Sequence, residues 1–398
     1  MKITKKNYNS YSISELINLG ISEAEKGNFS EAEKIYLQII DLNENYLLAY
    51  FNLLIINESL FDEKIFQKIK YILKNCSLNT YEKSIANFII SFYERKKKNF
   101  KKEIYYLDKA YSYSFKSNEN INKQSNYYFK KIIPSSFDKK KYIINEEIQK
   151  KFKIYNPIFI IGLPRSGSTL IESILSSSKE RIPSCGESSI VNSTLVSMLR
   201  INLKSNDFKF NINYDIFSET ILKKYKNLNL LNKNNKFYFL DKSLENFFYI
   251  DLILDLFPNA KFINCERNLF HISISIYQKF LIHLGWAHSY KNILNYINNY
   301  LKVIEFYKKK FPDKIYDLNL EKFTTQNLKI TKEVFDFCRI KWDPSSLEFY
   351  KRNDLKSKTA STKQVRKKIY SYDEEKFKPY KDLAIKFSNE FSWLKKYF

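Results

Sequence analysis

A glycine-bracketed loop with one arginine is the part of this sequence best suited to binding an anion. It covers residues 162–169, Gly-Leu-Pro-Arg-Ser-Gly-Ser-Thr, between an apolar run at residues 158–161 and a helix with one apolar face. In such a strand–loop–helix unit, backbone N–H groups and the positive end of the helix dipole point to one place. The spacing is that of a phosphate-binding P-loop, but Ser168 replaces the usual lysine and Arg165 supplies the cation. The loop predicts a nucleotide-phosphate site whose chemistry is not ATP hydrolysis.

Two more cations follow predicted strands in the same way. Further short runs, at residues 237–240, 261–264 and 315–318, alternate with helical segments and predict a parallel α/β sheet together with the first strand. Lys242 comes just after the first of these runs, and Arg267 comes just after the second. Ligands of parallel sheets bind beyond the carboxyl ends of the strands. We therefore expect both cations to lie near the loop.

The composition bears on the class of function. The chain has 398 residues, of which 44% are hydrophobic, enough for a core in each of two domains. Its net charge of +24 comes from lysines scattered along the chain, so we expect no nucleic-acid partner, although a basic surface favours anionic ligands. The four cysteines lie far apart, which predicts neither a zinc site nor disulfides. A polar N-terminus and the lack of a long apolar run predict a cytoplasmic protein with no membrane insertion.

The N-terminal part of the chain predicts helical repeats. Residues 1–130 contain no proline, and the first unit fits a tetratricopeptide repeat (TPR) of about 34 residues that begins at Ile13. Small and aromatic residues fall on the signature positions of that repeat: Leu19, Gly20, Gly27, Phe29, Ala32 and Tyr36. Two further units keep the period but lose the small residues, so an ordinary helical bundle is the alternative. We predict a TPR-like domain at residues 1–130, a bridging segment at 131–156 and an α/β domain at 157–398.

The loop and its surroundings resemble a known enzyme family. Residues 164–170, Pro-Arg-Ser-Gly-Ser-Thr-Leu, resemble the 5′-phosphosulfate loop of sulfotransferases that use 3′-phosphoadenosine 5′-phosphosulfate (PAPS). With the helical repeats ahead of it, the pattern is similar to the tyrosylprotein sulfotransferases and the bacterial TPR-containing sulfotransferases. The resemblance implies an α/β P-loop-like sulfotransferase domain preceded by an all-α TPR-like domain.

The same resemblance implies a reaction. PAPS would be the sulfuryl donor, and no metal would take part. The acceptor would be a hydroxyl group of a protein or peptide, a glycan or a small molecule, with protein tyrosine favoured. The TPR-like helices would be able to bind a peptide.

The resemblance also assigns residues to the two ends of the donor. Arg165 and the backbone N–H groups of the next four residues would hold the 5′-phosphosulfate: Ser166, Gly167, Ser168 and Thr169. Arg267 and Ser275 match the family's 3′-phosphate motif, in which a serine follows eight residues after an arginine. An arginine and a hydroxyl are well suited to a phosphomonoester. Leu269 and His271 depart from the motif between them.

Two further segments complete the predicted catalytic set. Glu187, in Cys-Gly-Glu, matches the general base of the tyrosylprotein enzymes, and a glutamate with a pKa of about 4.3 is ionised at neutral pH. Lys242 matches a lysine that stabilises the transition state together with Arg165, although Leu244 replaces the family's proline after it. The alternative base is a histidine, and the chain has three: His271, His283 and His288.

A C-terminal segment resembles the part of the family that folds over the nucleotide. It covers residues 359–366, Thr-Ala-Ser-Thr-Lys-Gln-Val-Arg. By this resemblance Ser361 assists catalysis, and Ser361, Gln364 and Arg366 contact the donor.

Two functions of other classes remain open from the sequence. A P-loop kinase or nucleotidase would bind ATP or GTP with Mg²⁺, although the loop lacks the usual lysine. A non-catalytic TPR adaptor would bind a peptide and no nucleotide.

Overall fold

The computed structural model describes residues 11–135, 146–202, 213–231, 237–352, 366–370 and 372–398. The chain forms two compact units. Within the described residues, the first unit contains residues 11–126 and Tyr277–Ile293, and the second contains the remainder. The first unit therefore takes in a stretch of chain from within the predicted 157–398 domain, and the domain boundaries at residues 130 and 157 remain predictions.

The N-terminal part is helical throughout its described residues. Its helices are α1 Ile13–Lys26, α2 Phe29–Leu42, α3 Leu47–Ile56, α4 Glu63–Asn75, α5 Thr80–Lys96, α6 Phe100–Ser117 and α7 Glu119–Tyr127. Local capping explains several boundaries. Ser12 and Glu15 form a capping box at the start of α1, and Gly27 ends that helix in the left-handed conformation, with φ of 88°. The predicted all-α N-terminal segment is confirmed.

The first helix pair uses the small residues that the repeat pattern marked. A Cβ atom added to Gly20 would collide with the ring of Tyr36, so α1 and α2 approach closely at this point. Ala32, on α2, is fully buried. These positions fit a helical repeat, and the TPR assignment itself remains a prediction.

Four parallel strands form the sheet of the second unit. They are β1 Asn156–Gly162, β2 Tyr238–Asp241, β3 Lys261–Glu266 and β4 Ile315–Asn319, in the spatial order β2-β1-β3-β4. The register pairs Phe159 with Asp241 and Gly162 with Cys265. Strand β1 has a neighbour on each side and is apolar, as a central parallel strand must be. All four predicted strands are confirmed, and their carboxyl ends lie along one edge of the sheet.

Helices cover both faces of this sheet. The later helices are α8 Glu146–Phe152, α9 Ser168–Ser176, α10 Ile190–Asn202, α11 Tyr214–Asn227, α12 Ile250–Leu256, α13 Leu269–Lys279, α14 Tyr290–Lys310, α15 Leu320–Thr325, α16 Asn327–Phe337 and α17 Lys381–Ile385. On one face, Ile160 and Ile263 share a core with Leu175 of α9 and Phe335 of α16.

The other face is aromatic. Phe159 stacks on Phe262 with ring centres 5.4 Å apart, and Phe239 contacts Tyr225 of α11 at 4.7 Å. A sheet with an apolar core on each side is held rigidly, and it fixes the strand ends that carry the polar residues. The predicted α/β fold class is confirmed. Among the described helices, none has both the length and the apolar character needed to cross a bilayer.

Candidate functional site

The loop between β1 and α9 is shaped by three left-handed residues. Gly162 has φ of 132°, and a Cβ atom there would lie 2.7 Å from the carbonyl oxygen of Cys265. Arg165 and Gly167 have φ of 71° and 92°, and Gly167 is the N-cap of α9. A non-glycine residue in this region carries backbone strain, which structures tolerate mainly where function requires it. The loop is a tight turn built around Arg165.

The interior of the loop offers donors to an anion. The side chain of Ser166 is fully buried, and in the described part of the chain its Oγ atom finds no hydrogen-bond partner. A buried hydroxyl without a partner costs free energy, which a bound oxygen atom would recover. The first backbone N–H groups of α9 follow directly after Gly167, at the positive end of the helix dipole. The loop therefore fits the anionic group that the sequence predicts for it.

The arginine of the loop meets the predicted 3′-phosphate residues. Arg165 Nε donates a hydrogen bond to Ser275 Oγ on α13, at 3.1 Å. Arg267, just beyond β3, donates from Nη1 to the carbonyl oxygen of Arg165, at 2.8 Å. Burial, with the charge of Arg267 as a second cause, lowers the pKa of Arg165 to about 10. Two guanidinium groups held this close repel each other, and an anion between them would relieve that repulsion.

A tyrosine and a histidine complete the surroundings of Arg267. Arg267 Nε donates to the hydroxyl of Tyr372 at 2.8 Å, and Nη2 donates to the same oxygen. That hydroxyl also lies 2.8 Å from His271 Nδ1, and the His271 ring stacks on Phe377 with centres 4.4 Å apart. Burial, followed by the charge of Arg267, lowers the pKa of His271 to about 4. His271 is therefore neutral at pH 7 and lies beside Arg267.

Lys376 is a cation of this region that the sequence analysis missed. Burial and then the charge of Arg267 lower the pKa of Lys376, and Arg165 contributes to the same shift. The charges of both arginines therefore act on its ammonium group. Nothing in the surrounding sequence distinguishes it from the many other lysines of the chain.

The second polar cluster lies at the end of β2. Lys242 is fully buried, and its Nζ atom lies 2.5 Å from Glu187 Oε1 and 3.6 Å from Glu172 Oε2. Burial disfavours the charged lysine, but the two carboxylates outweigh burial and raise the pKa of Lys242. The structure thus brings together the predicted base and the predicted lysine. Glu172, on α9, is a partner that the sequence analysis did not identify.

Backbone pairing explains how Glu187 reaches this position. The segment before it runs beside β2: Leu240 N donates to Pro183 O at 2.8 Å, and Lys242 N donates to Gly186 O at 3.0 Å. Gly186 has φ of 60°, which turns the chain immediately before Glu187. The side chain of Glu187 is 43% exposed, so an acceptor from solvent can reach it.

Asp241 shapes the turn that carries Lys242. The carboxylate is fully buried and accepts hydrogen bonds from the N–H of Ser243 at 2.8 Å, from Asn246 Nδ2 at 3.2 Å and from the hydroxyl of Tyr225 at 2.6 Å. With its acceptor positions used in this way, Asp241 holds the strand end in place. Asn246 therefore supports the turn, and it lies in a short 3₁₀ helix that begins at Leu244.

The part of the chain that contains the sheet is similar in sequence to a known protein family. The model of the sulfotransferase family matches residues 157–344. Residues 157–344 are thus similar to the sulfotransferase family. The match covers the loop, both acidic residues beside Lys242, Arg267 after β3 and Ser275 on α13.

The chain is also similar to a longer protein. An uncharacterized protein of Aquifex aeolicus (strain VF5) is 29% identical over 374 residues, which are 89% of this chain and 47% of that protein. The chain thus spans about half the length of this curated relative.

Two solved structures are similar as well. The sulfotransferase domain from the Synechococcus PCC 7002 olefin synthase is 17% identical, with a TM-score of 0.39, and the match covers 63% of this chain and 98% of that one. Sulfotransferase STF1 from Mycobacterium tuberculosis H37Rv is 9% identical, with a TM-score of 0.35, and the match covers 77% and 98%. At these identities and TM-scores the likeness carries no information on the substrate.

The remaining predicted site residues lie elsewhere. His288, in the first unit, lies 3.3 Å from the carbonyl oxygen of Gly285 and packs edge-on against Phe115. His283 is exposed. Ser361 and Gln364 lie outside the described residues, and Arg366 is the first described residue after them.

Proposed function

We propose that this protein transfers a sulfuryl group from PAPS to an acceptor hydroxyl. The observation that carries the proposal is the meeting of Arg165 with Ser275 and Arg267 through hydrogen bonds of 3.1 and 2.8 Å. The sequence predicts that Arg165 binds the 5′ end of the donor and that Arg267 and Ser275 bind its 3′ end, although these segments lie far apart in the chain. A second polar pair, Lys242 and Glu187, follows the neighbouring strand.

The residues of the loop fit the 5′ end of PAPS. The buried Ser166 hydroxyl, the N–H groups through Thr169 at the start of α9, and Arg165 form one positively polarised turn. Arg267 and Ser275 would take the 3′-phosphate, and Lys376 adds positive charge beside them. Ser361, Gln364 and Arg366 are proposed donor contacts on the family resemblance alone.

Different residues of the chain have different roles in the proposed reaction. Bound PAPS supplies the activated sulfuryl group. Glu187 accepts the proton of the acceptor hydroxyl, so that the oxygen becomes nucleophilic as the new bond forms. Lys242, Arg165 and Ser361 stabilise the negative charge that develops on the leaving side. The β1 and β2 ends are adjacent in the sheet, which supports a common reaction centre for Glu187, Lys242 and Arg165.

We propose a protein tyrosine as the acceptor. The Cys185-Gly186-Glu187 segment resembles that of the tyrosylprotein enzymes, and the side chain of Glu187 is 43% exposed, so a phenol from solvent can reach it. The TPR-like helices of the first unit are proposed to bind the acceptor peptide. Glycan and small-molecule hydroxyls are the competing acceptors.

Transfer of radiolabelled sulfate from PAPS tests this proposal. The purified chain would be incubated with labelled PAPS and, in parallel, with tyrosine peptides, matched phenylalanine peptides, glycans and small phenols. Label on the tyrosine peptides alone supports the full proposal. Label on a glycan or a small phenol keeps the sulfotransferase and overturns the tyrosine acceptor. Label on no acceptor, with PAPS left intact, overturns the activity.

A further inference from the structure

Glu172 is a largely buried carboxylate beside Lys242. It lies on α9, the helix that begins at the anion-binding loop, and its side chain is 15% exposed. One carboxylate oxygen lies 3.6 Å from Lys242 Nζ. The other accepts a hydrogen bond of 2.5 Å from the hydroxyl of Ser184. Burial raises the pKa of Glu172, whereas Lys242 and Ser184 favour its ionised form.

The hydrogen bond to Ser184 connects Glu172 to the turn that carries the base. Ser184 Oγ accepts from the N–H of Gly186 at 3.0 Å, and Gly186 O accepts from the N–H of Lys242 at 3.0 Å. A Cβ atom on Gly186 would lie 3.8 Å from Glu172 Oε1, which shows how near the turn passes to the carboxylate. A closed circuit of contacts therefore joins Glu172, the turn before Glu187, and Lys242.

The charges around Lys242 give Glu172 a second role. Lys242 faces Glu172 from α9, Glu187 from the turn and the thiol of Cys265 from β3. Glu187 is 43% exposed, so it is the carboxylate that an acceptor can reach. Once Glu187 has taken a proton from the acceptor, it no longer balances the buried ammonium group. Glu172 is then the carboxylate that still does.

We propose that Glu172 is a positioning residue that keeps Lys242 charged and in place while Glu187 acts as the base, and that it fixes the turn before Glu187 through Ser184. The inference rests on the proposed function for the identity of the reaction. The contact circuit and the charge balance are properties of the protein without a donor, so they can be measured separately.

The first test follows the titration of Lys242 in the ligand-free, full-length protein. Lysine labelled with carbon-13 at Cε reports the charge of each side chain by NMR, and a Lys242→Arg variant identifies the signal. Because the Glu172 carboxylate raises the pKa of Lys242, Glu172→Gln should move that titration to lower pH, and Glu172→Asp should restore part of the shift. An unchanged Lys242 titration in Glu172→Gln would overturn the proposal.

The second test measures the transfer rate at concentrations of PAPS and acceptor well above their Km values. Glu172→Gln should lower the rate by up to about 100-fold, because misplaced reacting groups lose their alignment. It should also move the alkaline limb of the pH–rate profile to lower pH. Ser184→Ala keeps the charge of Glu172, so it should lower the rate and leave that limb where it is. If Glu172→Gln and Ser184→Ala both lower the rate and neither moves the pH–rate profile, Glu172 has only a structural role, and that result contradicts the proposal.

A matched control separates site effects from general effects of removing a carboxylate. Glu94, on α5 in the first unit, is buried and accepts a hydrogen bond from Asn99 at 2.9 Å. Glu94→Gln should leave both the Lys242 titration and the transfer rate unchanged. If the wild-type protein transfers no label at all, the proposed function fails, and the NMR titration still decides whether Glu172 holds Lys242.

Discussion

Arg267 Nη1 donates a hydrogen bond of 2.8 Å to the backbone carbonyl oxygen of Arg165. One guanidinium group is thereby held against the loop that carries the other. The contact joins the carboxyl ends of β1 and β3, which are neighbours in the sheet. The two positive charges repel each other, and an anion that contacts both side chains would reduce this repulsion.

Loss of Lys242 should disable the reaction without abolishing donor binding. We expect Lys242→Ala to lower the single-turnover transfer rate by about 10²–10³-fold, because the cation acts on charge that develops in the transition state. Lys308→Ala is the matched control, since Lys308 also pairs with two carboxylates, those of Glu266 and Asp317. A Lys242→Ala variant with the wild-type rate would remove this residue from the mechanism.

Ser275 should contribute to the affinity for adenosine 3′,5′-bisphosphate, the donor without its sulfuryl group. A lost hydrogen bond to a charged group costs about 1.5–3 kcal/mol, so we expect Ser275→Ala to weaken binding by roughly 10- to 100-fold. Ser273→Ala is the control on the same helix, because Ser273 is buried and bonds the carbonyl oxygen of Phe270. Calorimetry that shows equal affinity for both variants would place the 3′-phosphate elsewhere.

Tyr372 competes for the donors of Arg267 that a phosphate would use. Both Nε and Nη2 of Arg267 donate to its hydroxyl. Tyr372→Phe removes that acceptor, so the affinity for adenosine 3′,5′-bisphosphate should rise by about fivefold, the equivalent of one hydrogen bond of net 1 kcal/mol. Tyr316→Phe, which loses a bond to Glu333, is the control. Weaker binding by Tyr372→Phe would mean that the phenol contributes to the ligand site.

His271 should make the stability of the protein depend on pH. Its pKa falls from the ordinary value of 6.5 to about 4 in the folded state, so the unfolded chain binds more protons between these values. Stability is therefore lost as pH falls from about 6.5 toward 4. His271→Asn should reduce this slope by up to about 1 kcal/mol per pH unit, measured by urea unfolding. An unchanged slope in His271→Asn would refute the assignment.

The strand ends could be predicted from the sequence because each predicted strand is followed within a few residues by a polar or charged side chain. Arg165, Lys242 and Arg267 were placed in one region by a single rule, that parallel strands present their carboxyl ends at the same edge. The structure bears out the sheet and brings Arg165 to Arg267. The roles of these residues in catalysis remain predictions.

Other parts of the site depend on distances that no local pattern carries. Glu172 lies on α9, and its approach to Lys242 depends on how that helix packs beside the end of β2. The contact of Tyr372 with Arg267 joins residues 105 positions apart. Such pairs follow from tertiary packing, so they require the structure.

Binding of adenosine 3′,5′-bisphosphate, measured by calorimetry against ATP with Mg²⁺, tests the central claim most directly. The anion site formed by the loop, Arg267 and Ser275 predicts saturable binding of the bisphosphate without any metal and much weaker binding of ATP with Mg²⁺. Tight binding of ATP with Mg²⁺ and none of the bisphosphate would contradict the claim and favour a P-loop kinase or nucleotidase. Binding of neither nucleotide would contradict it equally and favour a non-catalytic adaptor.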